Sequence, residues 1–415
     1  MTIEGLGSII DDKIPNAKKY LNFNMFNRKR VAIDADNWIY KYFSVAHASV
    51  ADATPIEQML DIRTSGPIVD PNAVQQKWLT LMLDAICLWL SNQTTPVFVF
   101  DGPTHTEKLE TTSGRQQQRD KDLVKFETIK REYLSQPPLL RADNLVLELK
   151  KIARRIFEIG TNKIAFRSIL NAIGIPCLTA KHDSEELCAY LAQKQARAAL
   201  TKDKDALAWG CPLMLLDTPQ RTVDGEGQVS FLVESLELRD VLFGLRMDFS
   251  QFVDFCIMCG TDFNERLTQL GPARALPLIE RFQRIDKIPL IPGTNQIDRG
   301  KINVKLPDTH TNAKTKEKII LTYDLAPLKV EQTRAIFAQR KPEDAILDGI
   351  LPPLKVQKHW SSSSQDVLSL YGIDRYREQI FNLVSNMQDP EDNPIQDPTK
   401  AHLPRMILKP KALPL

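Results

Sequence analysis

The chain has no apolar run long enough to cross a bilayer, no cysteine framework and almost no net charge, and each absence removes a class of protein. The longest apolar stretch, Trp78 to Leu90, is interrupted by Asp84. It reads as a buried helix, since a membrane span needs about 20 apolar residues. The N-terminus, MTIEGLGSIIDDK, carries acids and lacks the basic-then-apolar order of a secretory signal, so an intracellular protein is expected. Of the six cysteines only Cys256 and Cys259 have CxxC spacing, and no second such pair completes a zinc site. Their apolar surroundings, FVDFCIMCG, predict core filler. A net charge of +2 gives no global attraction to a polyanion, so nucleic-acid binding would have to come from local clusters.

What is present is an ordinary globular composition, 43% hydrophobic and 26% charged over 415 residues without internal repeats, compatible with two or three domains. Its most informative feature is that apolar runs of the first half end in carboxylates. RVAID stops at Asp34, PVFVFD at Asp101, and ARAALTKDKD carries Asp203 and Asp205. Short β-rich runs separated by helical stretches predict an α/β fold with a mainly parallel sheet, whose ligands gather at the strands' carboxyl ends.

The segments follow in order. Residues 1–28 read as an amphipathic stretch before the first strand. A helix is predicted from Asp36 through NWIYKYFSVAHA, a polar loop over 50–73, and a helix over 73–91. Residues 104–160 are dense in mixed charge and broken by QPPLL, which predicts either a surface helical pair with a solvated face or an arch carrying basic residues toward a polyanion, the second helix running through KKIARRIFEI. Strands are expected at GIPCL, ARAAL, PLMLL and QVSFLVE. LELRDVLFGL and SQFVDFCIMCG read as helices, and TDFNERLTQLGPARALPLIERF as a helix-hairpin-helix. Beyond 285 helices are expected at 331–340 and 364–383, with SSSS at 361–364 as a possible cap.

A single Asp ahead of a helix is explained as an N-cap. Acids at four strand ends of one sheet weaken that explanation, because clustered carboxylates raise one another's pKa unless a cation compensates. Asp183 and Glu185, an i, i+2 pair, would diverge by roughly 200° in mid-helix and can share a ligand only in a first turn. Hard oxygen donors suit Mg²⁺ or Mn²⁺, and two such ions support in-line phosphoryl displacement.

VAIDADNWIYKYF, PVFVFDGP, SILNAIGIPCLTAKHDSEELCAYL, TKDKDALAWGCPLML and FVDFCIMCGTDFNERLTQLGPARA resemble, in order and spacing, the blocks of the flap endonuclease family of structure-specific 5′ nucleases. The resemblance covers roughly residues 1–285. It implies a PIN-like nuclease domain with a mainly parallel central sheet flanked by helices. Within it lie an N-terminal block over 1–110, a helical arch over 104–160, an internal block over 161–250 and a helix-two-turn-helix over 250–285. Residues 286–415 are then an extension wrapping the core. The resemblance places metal-site carboxylates at Asp34, Asp101, Asp183, Glu185, Asp203, Asp205 and Asp262, with two Mg²⁺ ions for which Mn²⁺ substitutes. It places a basic catalytic pair at Lys108 and Arg115, a base-stacking aromatic at Tyr40, and DNA contacts at Arg119, Arg266, Gly271 and Arg274.

The chain departs from the family's pattern in several places, with Thr2 where the family begins Met-Gly and Gln118 where an arginine is usual. Asp183 stands where Glu is usual, Gln269 replaces a hairpin glycine and puts the implied monovalent cation there in question, and Glu186 has no counterpart and reads as a first-turn helix charge. No sliding-clamp peptide is recognisable near RMILKPKALPL. The resemblance implies a monomeric flap endonuclease with 5′ exonuclease activity on branched DNA in replication or repair, nuclear if cellular, with no membrane partner. Two alternatives are a mainly exonucleolytic relative and a catalytically silent DNA-structure-binding protein.

Overall fold

The structure is a computed structural model describing residues 3, 5–103, 109–138, 141–311, 318–338, 340–358 and 362–391, without the side chains of 109–116 and 362–365. The chain begins with α1 (Leu6–Lys13), β1 (Lys18–Asn22), β2 (Arg30–Asp34), α2 (Ala35–Ala53), the single turn α3 (Ile56–Met59), α4 (Pro71–Ser91) and β3 (Thr95–Phe100). An insertion of α5 (Leu109–Ser135) and α6 (Asp143–Ala153) follows. Then come α7 (Asn162–Ala172), β4 (Cys177–Thr179), α8 (Ser184–Lys194), β5 (Ala198–Leu200), α9 (Asp205–Ala208), β6 (Leu213–Leu215), β7 (Gln220–Val223) and β8 (Val229–Glu237). The helices α10 (Leu238–Leu245), α11 (Phe249–Cys259) and α12 (Pro272–Phe282) precede a looser region. This holds α13 (Arg299–Ile302), β9 (Thr309–Thr311), β10 (Lys318–Ile320), α14 (Val330–Ile336), α15 (Pro342–Ala345), α16 (Ser362–Leu370) and α17 (Arg377–Ser385).

The central strands are nearly continuous apolar runs because both faces of the sheet are covered; every residue of β3 is buried. Along the strands the side chains alternate between two cores. Ala32, Val97, Val99, Ala199 and Met214 join one cluster, while Val31, Ile33, Phe98, Leu200 and Leu215 join the other. The strand order is β1-β8-β6-β5-β2-β3-β4, with β7 also on β8. β4, β3, β2, β5 and β6 are mutually parallel, and β8 adds an antiparallel edge with β1 and β7. The chain moves from β2 outward through β3 and β4, then returns to the other side of β2 at β5. The crevice for a ligand therefore lies between the carboxyl ends of β2 and β5.

Several expectations change. The first strand is β1, inside the stretch expected to precede it, and β7 is a strand beyond those expected. Both are largely exposed edge strands, held by backbone pairing to β8 rather than by an apolar pattern. The helix expected through KKIARRIFEI stops at Ala153. The helix expected over 364–383 is two, α16 and α17, parted at Gly372, whose φ of +64° ends the first. It starts at Ser362, and any capping by the serines falls outside the described side chains. TDFNER forms turns, so the hairpin is built from α11 and α12.

The insertion has its own small core, where Phe126, Ile129 and Tyr133 of α5 meet Leu145, Leu149 and Ile152 of α6 over Ala51 and Met59. Residues beyond 285 complete both main clusters, from Leu306 and Phe337 in one to Ile380 and Val384 in the other. All six cysteines are thiols, and Cys256 and Cys259 are buried in α11. Among the described residues no helix is long and apolar enough to cross a membrane.

Candidate active site

The carboxyl ends of four parallel strands put the acids on one rim. Asp34 closes β2 and is also the N-cap of α2, accepting from Asn37 N at 3.1 Å. The N-cap and metal explanations thus apply to the same side chain. Asp34 accepts two more hydrogen bonds, from Ser184 Oγ at 3.0 Å and Thr201 Oγ1 at 2.9 Å. Ser184 N donates to Asp101 Oδ1 at 3.0 Å, and Thr201 Oγ1 accepts from Asp203 N at 3.1 Å. Asp205 N in turn donates to Asp203 Oδ1 at 3.1 Å. A line of hydrogen bonds therefore runs Asp101, Ser184, Asp34, Thr201, Asp203, Asp205 across the switch point. Asp203 and Asp205 sit on a turn opening α9, not on extended backbone.

Electrostatics ties the remaining acids to this line. Burial first, then Asp101, push the Asp34 carboxyl up to about 7 against those three hydrogen bonds. Burial, Asp203 and Asp262 raise Asp205 well above the usual carboxylate range, although Ile3 N donates to its Oδ1 at 2.5 Å. Asp183 is the N-cap residue of α8 and Glu185 lies in its first turn, as sharing a ligand requires. The buried Cys188 thiol is raised by burial and by the charges of Asp34 and Glu185. No lysine or arginine side chain pairs with Asp34 or Asp205 among the described residues, so hydrogen bonds and, for Asp205, the N-terminal ammonium offset their repulsion only in part. Among the described residues no three His, Cys, Asp or Glu side chains already stand close enough to hold an ion. The donor set is nonetheless of hard oxygens whose repulsion is only partly compensated, the chemistry a divalent cation fits.

Glu186 lies in the first turn of α8, as expected. It is 2% exposed, and burial raises it to about 7, with Arg340 at 3.9 Å opposing. It is a buried acid facing the C-terminal extension.

Gly102, one residue past Asp101, is where β3 crosses the chain leaving β4. Its N–H donates to His182 O at 2.8 Å, and a Cβ there would stand 2.1 Å from Ala180 O. Gly102, Ser184, Thr201 and Asp36 hold the site through contacts between distant segments. Asp36 Oδ2 accepts from Asp101 N at 2.8 Å, and its Oδ1 lies 2.5 Å from Lys163 Nζ. A Ser next to an Asp, or a lone Thr after a strand, carries no signal of such bonds.

Around the rim, Tyr40 is 56% exposed on α2, its ring 5.5 Å from Phe157, while Trp38 packs in the core against Tyr42 and Phe98. Lys108 lies outside the described residues, as does the side chain of Arg115; Arg119 is half-buried on α5. In the helical hairpin Gly271 is the N-cap of α12, followed by Pro272, and Arg266 is exposed. Gln269 adopts the left-handed conformation at φ +64°, so the turn survives its replacement of glycine. Arg274 Nη1 donates to Gln269 O at 2.7 Å and Oε1 at 3.3 Å. A hairpin cation would have to compete with this guanidinium for the Gln269 carbonyl, so the residues do not fit one there.

Two family models match this chain: the XPG N-terminal domain over residues 1–122 and the XPG I-region over residues 174–262, together about half of it. The chain belongs to the flap endonuclease/XPG family. The first match contains Asp34 and Asp101, the second Asp183 through Asp262, and most of the insertion lies between them. Flap endonuclease 1 of Theileria parva is 26% identical over 289 residues, covering 69% of this chain and 52% of that protein. That of Methanococcus aeolicus is 28% identical over 341 residues, covering 78% and 93%. The chain thus spans about half the length of the first relative. The solved structure of flap endonuclease-1 from Methanococcus jannaschii shares the fold, with a TM-score of 0.51 at 19% identity over 89% of this chain and 97% of that one.

Proposed function

We propose that this protein is a metal-dependent, structure-specific nuclease that hydrolyses phosphodiester bonds of branched DNA bearing a 5′ flap, with 5′–3′ exonuclease activity, in replication or repair. The observation that carries this reading is the hydrogen-bonded line of acids across the switch point between β2 and β5, in a chain of this family. The repulsion stored there fits a pair of Mg²⁺ ions, or Mn²⁺ in their place, held by Asp34, Asp101, Asp183, Glu185, Asp203, Asp205 and Asp262. Bound, such ions supply an activated water and stabilise the leaving oxygen.

The chain's own residues bind and orient. Ser184 and Thr201 fix both Asp34 oxygens and so aim the carboxylate. Lys108 and Arg115 hold the scissile phosphate and stabilise charge that develops on it. Tyr40 offers an exposed face on which a base leaving the duplex stacks, worth about 1–3 kcal/mol per base. Arg119 contacts phosphate beside the cut, and Arg266 and the N–H groups at Gly271 grip duplex backbone at a helix start. Arg274 supports the hairpin and faces the same backbone.

Purified protein with Mg²⁺ is expected to cut a labelled 5′-flap duplex near its junction, and Asp203→Ala to slow the cut by about a hundredfold or more. No cleavage of flapped, gapped or nicked duplex with metal shown to be bound would overturn the reading. Tight DNA binding without cleavage under any cation would identify a DNA-structure-binding protein instead.

A further inference from the structure

Asp36 stands two residues from Asp34, yet both of its oxygens are taken. One accepts from Asp101 N, at the point where the chain leaves β3 for the insertion. The other pairs with Lys163 Nζ, in the first turn of α7 where the chain returns from it. The returning segment lies along one face of α2. Phe157 rests its ring 5.5, 5.6 and 5.2 Å from those of Tyr40, Phe43 and His47, and Lys163 reaches Asp36 a turn before Tyr40. Residues 36, 40, 43 and 47 share a face at helical spacing. The segment from 157 to 163 therefore runs antiparallel to α2 with a contact at each end. Between the two feet, α5 and α6 pack on a core separate from the two that flank the sheet.

We propose that Asp36 is a positioning residue that clamps both feet of the helical insertion to α2. It holds the backbone of Asp101 on one side, and through Lys163 it keeps Phe157 beneath the Tyr40 ring on the other. The consequence for cleavage rests on the proposed function; the clamp itself does not. With its oxygens committed, Asp36 is not a further metal ligand, although it belongs to the same cluster of acids.

Three variants of the full chain test this: Asp36→Asn, which keeps an acceptor for Asp101 N but loses the ion pair; Lys163→Met; and Lys163→Arg, which restores the charge. Hydrogen exchange in chelator should show amides of 154–163 opening about tenfold faster in the first two variants and as in the parent in the third, with 101–103 unchanged because the acceptor for Asp101 N remains. In single-turnover assays the first two should cut a 5′-flap duplex about 10- to 100-fold more slowly, as misplacement of reacting groups does. DNA affinity and the Mg²⁺ concentration for half-maximal rate should change less than about threefold, well under the tenfold set by 1.4 kcal/mol. Unchanged exchange in both variants overturns the clamp. A Mg²⁺ requirement raised tenfold or more by Asp36→Asn overturns it too, by making Asp36 a ligand. Faster exchange in a protein that cuts no DNA at all supports the clamp and removes the nuclease reading alone.

Discussion

Burying one carboxylate beside another costs free energy that hydrogen bonds offset only in part, and Asp34 shows both sides of that balance. Three donors reach it, yet burial and Asp101 still raise it to about 7; Glu186 is raised to about 7 by burial. A carboxyl whose folded pKa exceeds its unfolded value contributes stability below the unfolded pKa and loses it as pH rises through the folded one. Metal-free protein is therefore expected to unfold more easily as pH rises from about 4 to 8, with the steepest loss between about 5 and 6 and a levelling off above 7. Mg²⁺ should raise the melting temperature more at pH 8 than at pH 5.5, because a cation replaces the proton; a thermal-shift series in chelator and in Mg²⁺ reads both trends. Gly102 is the second residue whose identity the site dictates. Gly102→Ala drives a methyl into the Ala180 carbonyl, and overpacking of this kind costs about 1–3 kcal/mol, measurable by urea unfolding. Asp34, Asp101 and Asp203 are legible in the sequence because each closes or closely follows an apolar run, whereas Asp262 is placed only by the family's blocks. Ser184, Thr201 and Asp36 are not legible, since each acts on a residue at least 65 positions away.

At the scale of the element, the helical hairpin owes its placement to one buried acid. Asp254 on α11 is fully buried. It accepts from Arg334 Nε at 2.7 Å and Nη2 at 2.6 Å, Arg284 Nε at 2.9 Å and Ile285 N at 3.0 Å. α14, beyond the family matches, is thereby fastened to α11. Asp254→Ala leaves two guanidinium groups partly buried without their partner and is expected to destabilise the fold by about 3 kcal/mol, read by chemical denaturation. α11 itself was predictable: an apolar run opens on Asp248, whose side chain and that of Gln251 form a reciprocal cap. The turns after it were read as helix because LTQL is apolar enough to continue one. The left-handed Gln269 and the Asn264 bonds to Thr261 and Ile257 O stop it instead.

For the whole molecule, the two cores on either side of the sheet are finished by residues far down the chain. Leu306, Leu321, Tyr323, Leu328 and Phe337 belong to one core, and Val356, Leu368, Ile373, Ile380 and Val384 to the other. Burying such a side chain is worth about 1.5–3 kcal/mol, and ten of them exceed the 5–15 kcal/mol that a whole domain retains. A fragment of residues 1–285 is therefore expected to lack cooperative unfolding and near-ultraviolet circular dichroism, while 1–391 keeps both.

Local order in the chain was enough for the parallel strands, their helices and the carboxylates at their ends. Apolar runs, caps and turn residues act on neighbours within a few positions, and the family's blocks are written in the same stretches. Only the tertiary structure decided the antiparallel edge of β1, β7 and β8, the burial of Glu186, and the joining of the acids through Ser184 and Thr201. It alone showed Asp36 between the two feet of the insertion. Those features are backbone pairings and hydrogen bonds between distant segments, and their energy depends on which surfaces meet after the sheet has formed.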